Sequence, residues 1–258
     1  MEKNQTPFPY PLENGVFVSP GTREKFKAFE QSYLSLRTKE KRVLSIEEIR
    51  SLPYPKKGSP DYDLWAIRRK NIHRFLRYLN ASGKKQRILD IGCGNGFFTH
   101  LMAQQQHEVH GVDVNAEELE QAACAFPEAG ISWFCIDILN ETPDQRTYDL
   151  ITFCTSFQYF KDAGLVLNRC LSLLNPGGEI HIIDSPFYDE TTVSIAKNKS
   201  HLHFKKLEVP DMTQYYYHHT FSSLNQFHIT FGYRSRSLLS RLIRLKDSPF
   251  PWIIVKQA

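Results

Sequence analysis

The chain lacks any apolar run near the roughly 20 residues of a membrane span, and its start, MEKNQTPFPYPLENG, lacks the basic-then-apolar order of a secretory leader. Cysteine is sparse: Cys93, Cys124, Cys135, Cys154 and Cys170 are scattered, odd in number and never paired as CxxC. That excludes a disulfide framework or a zinc knuckle as the organising device. It leads to the expectation of a reducing, cytoplasmic setting, with most of the thiols acting as small core residues and no metal centre. An excess of one charge is missing too: 32 Lys and Arg against 28 Asp and Glu leave +4, too mild to imply nucleic acid by itself. Internal repeats and low-complexity tracts are absent. What is present, 258 residues with 41% hydrophobic, suffices for one large domain with an extension, a globular enzyme or binding protein.

From residue 84 onward short apolar runs alternate with helix-like stretches. Strands are expected at 87–92, 108–114, 131–137, 148–156 and 178–184. Helices are expected at 97–105, at 116–126 (closed by Pro127), and at 162–175 (ended by a Pro176-Gly177-Gly178 turn). Strands this apolar, separated by helices, signify a parallel sheet covered on both faces, with ligands bound beyond the strands' carboxyl ends. Two closing strands, 227–234 and 251–257, flank a basic stretch holding Arg236, Leu238, Leu239, Arg241, Leu242, Ile243, Arg244 and Leu245. Residues 1–83 read as an N-terminal helical extension: a proline-rich start, a helix near 22–36, a capping-box spacing of Ser45 with Glu48, and an amphipathic helix over 63–80. Residues 185–226 form an unusually long connection after the fifth strand, rich in aromatics, which suggests a lid.

Residues 88–99 read ILDIGCGNGFFT. Glycines let a backbone turn tightly and approach a ligand closely. The dinucleotide fold prefers GxGxxG and seats a pyrophosphate on a helix N-terminus. Here the spacing is GxGxG, over Gly92, Gly94 and Gly96, with Asp90 two residues ahead. A carboxylate there opposes a pyrophosphate and suits S-adenosylmethionine, whose ammonium and sulfonium are cationic. Asp113 ends the second strand, where a carboxylate can accept both ribose hydroxyls; NAD-binding folds use the same device. Asp137 ends the third, where it could accept from an adenine amino group.

Together with a fourth strand ending CTSFQYF and a fifth opening LNPGGEIHIID, these motifs make the chain resemble the class I S-adenosylmethionine-dependent methyltransferase family, small-molecule type. The resemblance covers residues 84–184 well and the rest in outline. It implies a Rossmann-like α/β fold: a seven-stranded mostly parallel sheet with an antiparallel last strand, helices on both faces, a cap over 1–83 and a catalytic domain over 84–258 with the lid at 185–226. It also implies S-adenosylmethionine as cofactor, with S-adenosylhomocysteine as product. Carried over position by position, Asp90, Gly92, Cys93, Gly94 and Gly96 match the loop around the methionine part. Asp113 and Val114 match the ribose site, Asp137 and Ile138 the adenine site, and Cys154, Thr155 and Ser156 the segment passing near the methyl donor. Many members carry histidine where this chain reads Gln158 and Tyr159.

Methyl transfer from a sulfonium is an in-line displacement, so the protein mainly supplies alignment, and a base is needed only if the acceptor arrives protonated. His218 and His219 in the lid are the catalytic candidates, with Tyr159 and Asp184 behind them. A small-molecule acceptor, such as a sugar, a metabolite or a lipid-linked intermediate, fits an aromatic lid over a closed site. An RNA or protein acceptor is the second reading. It is disfavoured for nucleic acid because the insertion's charges nearly balance. An NAD-dependent oxidoreductase, or a cofactor-binding partner subunit without catalysis, is the remaining alternative.

Overall fold

The computed structural model describes residues 8–127, 130–234 and 247–257. The basic stretch expected between the two closing strands falls at 235–246 and lies outside the described residues.

The N-terminal region contains β1 (Leu12–Glu13), β2 (Val16–Val18), α1 (Pro20–Lys39), α2 (Ile46–Ser51) and α3 (Tyr62–Ala81). The alternating region follows as β3 (Arg87–Ile91), α4 (Phe97–Ala103), β4 (Glu108–Asp113), α5 (Ala116–Ala125), β5 (Ile131–Cys135), β6 (Tyr148–Cys154), α6 (Ala163–Ser172) and β7 (Leu174–Ile183). The long connection holds β8 (Phe187–Tyr188), α7 (Val193–Lys206) and β9 (His219–Thr220), and the chain closes with β10 (His228–Tyr233) and β11 (Trp252–Lys256). No helix among the described residues is long and apolar enough to cross a membrane.

The helices begin where the local chemistry stops orphaned backbone N–H groups from going unpaired. Ser19 caps α1, with Pro20 in its first turn. Ser45 and Glu48 form the full capping box on α2, and Asn115 and Asp162 accept from Glu118 and Leu165 at the starts of α5 and α6.

The main sheet has nine strands in the order β1-β2-β5-β4-β3-β6-β7-β11-β10, which corrects the expected seven. The two extra strands come from an N-terminal hairpin. It turns at Asn14 and Gly15, both with positive φ, and lays β2 parallel to β5. An Asn-Gly pair between short extended runs is the strongest local hairpin signal, and the proline-rich surroundings masked it. The last strand, β11, enters between β7 and β10 and is antiparallel to both. One boundary also differs. The helix expected to 175 stops at Ser172, and Pro176-Gly177-Gly178 lies within the bulged start of β7 rather than in a free turn.

Period-two alternation sends side chains to two buried faces, which is why these strands read as continuous apolar runs. Ile88 of β3 packs with Phe75 and Leu79 of α3 and Phe98 of α4. Its neighbours Leu89 and Ile91 join Phe134, Phe153 and the α6 residues Val166, Leu167 and Cys170 on the other side. Four of the five cysteines are buried, Cys124 being exposed, and all five are free. The connection at 185–226 builds its own small core, in which Phe204, Val209 and Met212 pack with Leu36 of α1.

Candidate active site

The carboxyl ends of β3, β4, β5 and β6 open into one cavity of about 500 Å³, within the roughly 300–1,000 Å³ of small-molecule sites. Gly92, Cys93, Gly94, Asp113, Val114, Asp137, Ile138, Cys154, Thr155, Ser156 and Tyr159 all line it. Asp90, Gly96, Asp184, His218 and His219 do not.

Gly92 and Cys93 both donate to the carbonyl of Val112, which pins the glycine turn to the neighbouring strand. Gly92 sits at φ +69, and a Cβ there would meet the Ser156 Cβ at 2.4 Å. Close approach of two backbone segments therefore demands glycine at this position. Gly96 serves packing: it caps α4 in the left-handed region, and a Cβ there would lie 2.4 Å from the Trp133 ring. Asp90 also departs from the expected direct contact with a cationic ligand. It is buried beneath the loop, its two carboxylate oxygens taken by the hydroxyls of Thr99 at 2.6 Å and Thr152 at 2.7 Å. Burial pushes its pKa up to about 6, and the two hydroxyls pull it back.

Asp113 knits the loop to the strand end. Its Oδ2 accepts from Gly94 N at 2.9 Å, and its Oδ1 from Val114 N at 2.7 Å and Asn115 N at 2.9 Å. Burial raises its pKa while the three N–H groups stabilise the anion. Asp137 is engaged by a residue that pattern reading missed: Lys25 of α1 reaches its Oδ2 at 2.6 Å, Lys25 being 57% exposed and Asp137 8%. Asn140 Nδ2 donates to the same oxygen and Leu139 N to Oδ1.

The two histidines expected as catalytic candidates do not line the cavity: His218 packs within the insertion and His219 against the turn after β6. His219 is buried against the rings of Phe157 and Phe187. His218 shares a hydrogen bond with Ser200 and stacks near Tyr188 and Tyr216. Burial lowers the pKa of both. Asp184 is held by Asn71 and Ser248 at 2.7 and 2.8 Å, away from the cavity wall. Tyr159 does reach the cavity, and burial raises its pKa.

Sequence reading also missed Phe29, Tyr33 and Arg37 of α1, Arg68 of α3 and Glu118 of α5, all of which line the cavity. Lys25, Phe29, Tyr33 and Arg37 recur every fourth residue, the spacing of one helix face, and that stripe was the available signal. Glu118 lies under the loop, 3.0 Å from where a Gly94 Cβ would stand, and burial pushes its pKa up to about 7.

A methyltransferase domain family matches residues 88–178, the span that carries the loop, the strands β3 to β6 and the start of β7. Over 104 residues, the domain is 33% identical to a ubiquinone biosynthesis O-methyltransferase of Erwinia tasmaniensis, covering 38% of this chain and 41% of that protein. It is 29% identical over 126 residues to a malonyl-[acyl-carrier protein] O-methyltransferase of Acetivibrio thermocellus, covering 47% and 44%. The chain thus spans less than half the length of these curated relatives. In fold, the chain resembles the magnesium protoporphyrin IX methyltransferase of Synechocystis PCC 6803 with bound S-adenosylhomocysteine, at TM-score 0.57 and 15% identity, over 91% of this chain and 96% of that one. It also resembles the plantazolicin methyltransferase BpumL, at TM-score 0.52 and 21% identity, over 92% and 100%.

Proposed function

We propose that this chain is an S-adenosylmethionine-dependent methyltransferase acting on a small-molecule acceptor by in-line displacement. The observation that carries the reading is the convergence of the Gly92–Gly94 turn, Asp113 and Asp137 on one cavity of small-ligand size. The residues fit the donor: the turn leaves the backbone bare, Asp113 keeps one acceptor site on Oδ2 for a hydroxyl, and Asp137 keeps one on Oδ1 for an amino group. When bound, the donor supplies a methyl group already activated on a sulfonium.

The chain's own part is binding, alignment and exclusion of water, which together can be worth up to ~7–11 kcal/mol. The region 1–83 acts as a cap through α1, and the insertion at 185–226 acts as a lid that adds Tyr215 and Tyr217 to the cavity. No histidine lines the cavity among the described residues. Tyr159 stays a phenol at neutral pH, because burial raises its pKa, and so orients an acceptor as a hydrogen-bond donor. Both curated relatives are named O-methyltransferases, which supports an oxygen acceptor. The expected setting is the cytoplasm.

The test is calorimetric titration with S-adenosylmethionine, S-adenosylhomocysteine and NAD, on the natural chain and on Asp113→Ala. Micromolar binding of the two sulfur compounds, lost in the variant and absent for NAD, is the expected result. Binding of NAD alone would overturn it.

A further inference from the structure

The cavity holds more cation than the donor can use. Arg37 and Arg68 both line it, and in each the Nε is shut off from solvent without a hydrogen-bond partner. A buried guanidinium N–H left without an acceptor is costly, so an anion placed against it is favoured. Within the protein little fills that role. Lys25 neutralises Asp137, and Arg42 is paired with Glu40 and Asp61. Tyr33, Glu118, Tyr159 and Glu40 act on Arg37 only through space, and burial raises the pKa of Glu118. Arg68 has Asp184 and Cys154 as its through-space partners, and burial still lowers its pKa. The donor adds one net positive charge, and its single carboxylate can satisfy one guanidinium. Arg68, whose neighbour Cys154 ends β6 beside the glycine turn, is allocated to it.

Arg37 is left over, and its surroundings describe a ligand. It stands at the end of an aromatic wall assembled from three parts of the chain. Phe29 and Tyr33 come from α1, Tyr159 from the turn after β6, and Tyr215 from the insertion. Ring centroids are 5.9 Å apart for Phe29–Tyr159, 5.7 Å for Tyr33–Tyr159 and 5.3 Å for Phe29–Tyr215. The Arg37 guanidinium lies 5.4 Å from the Tyr33 ring centre. Edge and face contacts of this kind receive a flat ring, and a guanidinium fork beside them receives a carboxylate or phosphate in two parallel hydrogen bonds.

We propose that the methyl acceptor is a planar acid, whose ring lies along this aromatic wall and whose carboxylate or phosphate is held by Arg37. The proposal rests on the methyltransferase reading and narrows its acceptor to an anion.

The experiment uses protein saturated with S-adenosylhomocysteine and titrated with cinnamate, its neutral counterpart cinnamamide, and phenyl phosphate. Cinnamate or phenyl phosphate should bind about tenfold or more tighter than cinnamamide, the ratio that a hydrogen bond to a charged group supplies. Arg37→Gln should erase that preference, with Arg37→Lys restoring part of it, while S-adenosylhomocysteine still binds. Equal binding of the acid and the amide to the natural chain overturns the proposal without needing any variant, as does failure of both acids to bind. A preference that persists in Arg37→Gln, with S-adenosylhomocysteine affinity lost, also overturns it and assigns Arg37 to the donor. If the natural chain fails to bind S-adenosylhomocysteine at all, the methyltransferase reading itself falls.

Discussion

Replacing the glycines one at a time by alanine should separate three roles that look alike in the motif. All three have positive φ, +69 at Gly92, +52 at Gly94 and +77 at Gly96, so each alanine carries a conformational cost of about 1–2 kcal/mol. The space around them differs. At Gly96 the new Cβ falls 2.4 Å from Trp133 and 2.8 Å from Ala122, both in the packed core, adding about 1–3 kcal/mol of overpacking. At Gly92 it meets Ser156 at 2.4 Å, whose hydroxyl is fixed to the Ile91 carbonyl. At Gly94 it meets only the Glu118 carboxyl at 3.0 Å, the movable end of a side chain. Gly177 is the control, with φ +79 and nothing within 4 Å. In urea unfolding, Gly92→Ala and Gly96→Ala should each lose about 2–5 kcal/mol, and Gly94→Ala and Gly177→Ala about 1–2 kcal/mol. Calorimetry should then show Gly94→Ala, at the cavity wall, losing S-adenosylhomocysteine affinity that Gly177→Ala keeps. If Gly96→Ala proves no worse than Gly177→Ala, the assignment of that glycine to packing is wrong.

Removing the Lys25 charge with Lys25→Met frees Asp137, and because the lysine is exposed to solvent the affinity for S-adenosylhomocysteine should rise by at most about fivefold, whereas Asp137→Ala should lower it; a fall with Lys25→Met would show that the lysine itself binds the donor. Asp90 and Glu118 have pKa values pushed up by burial to about 6 and about 7. An acid raised in the folded state gives its full stability below its unfolded value, near 4, and loses it as pH climbs through the folded value. Their contribution should therefore decline between about pH 4 and 7, a slope that Glu118→Gln flattens in denaturant titrations at several pH values. Phe75, fully buried between α3 and the sheet, should cost about 3–5 kcal/mol on truncation to alanine with S-adenosylhomocysteine affinity unchanged in the folded protein. His219→Ala should lower the melting temperature through lost contacts with Phe157 and Phe187 and leave cofactor affinity intact; loss of affinity would return His219 to the site.

Much of the fold is written in short-range patterns. The alternation of β3 to β7 with helices, the capping residues at 19, 45, 115 and 162, and the glycine turn each depend on residues within a few positions of one another, so a linear reading finds them. Asp113 and Asp137 were legible for the same reason, since the one ends β4 and the other follows β5 by two residues, at the carboxyl edge of the sheet. What lay beyond reach was decided by contacts between distant segments. Asp90 reads as a ligand carboxylate until Thr99 and Thr152 are seen to take both its oxygens. His218 and His219 read as catalytic candidates, and the tertiary structure packs them against aromatic rings off the cavity wall. Arg37 and Arg68 were missed, because nothing local marks them for burial. They become site residues only when α1 and α3 close over the strand ends and strip their Nε atoms of water. Local free energies determine which elements form, and desolvation by remote segments determines which side chains are left wanting a partner.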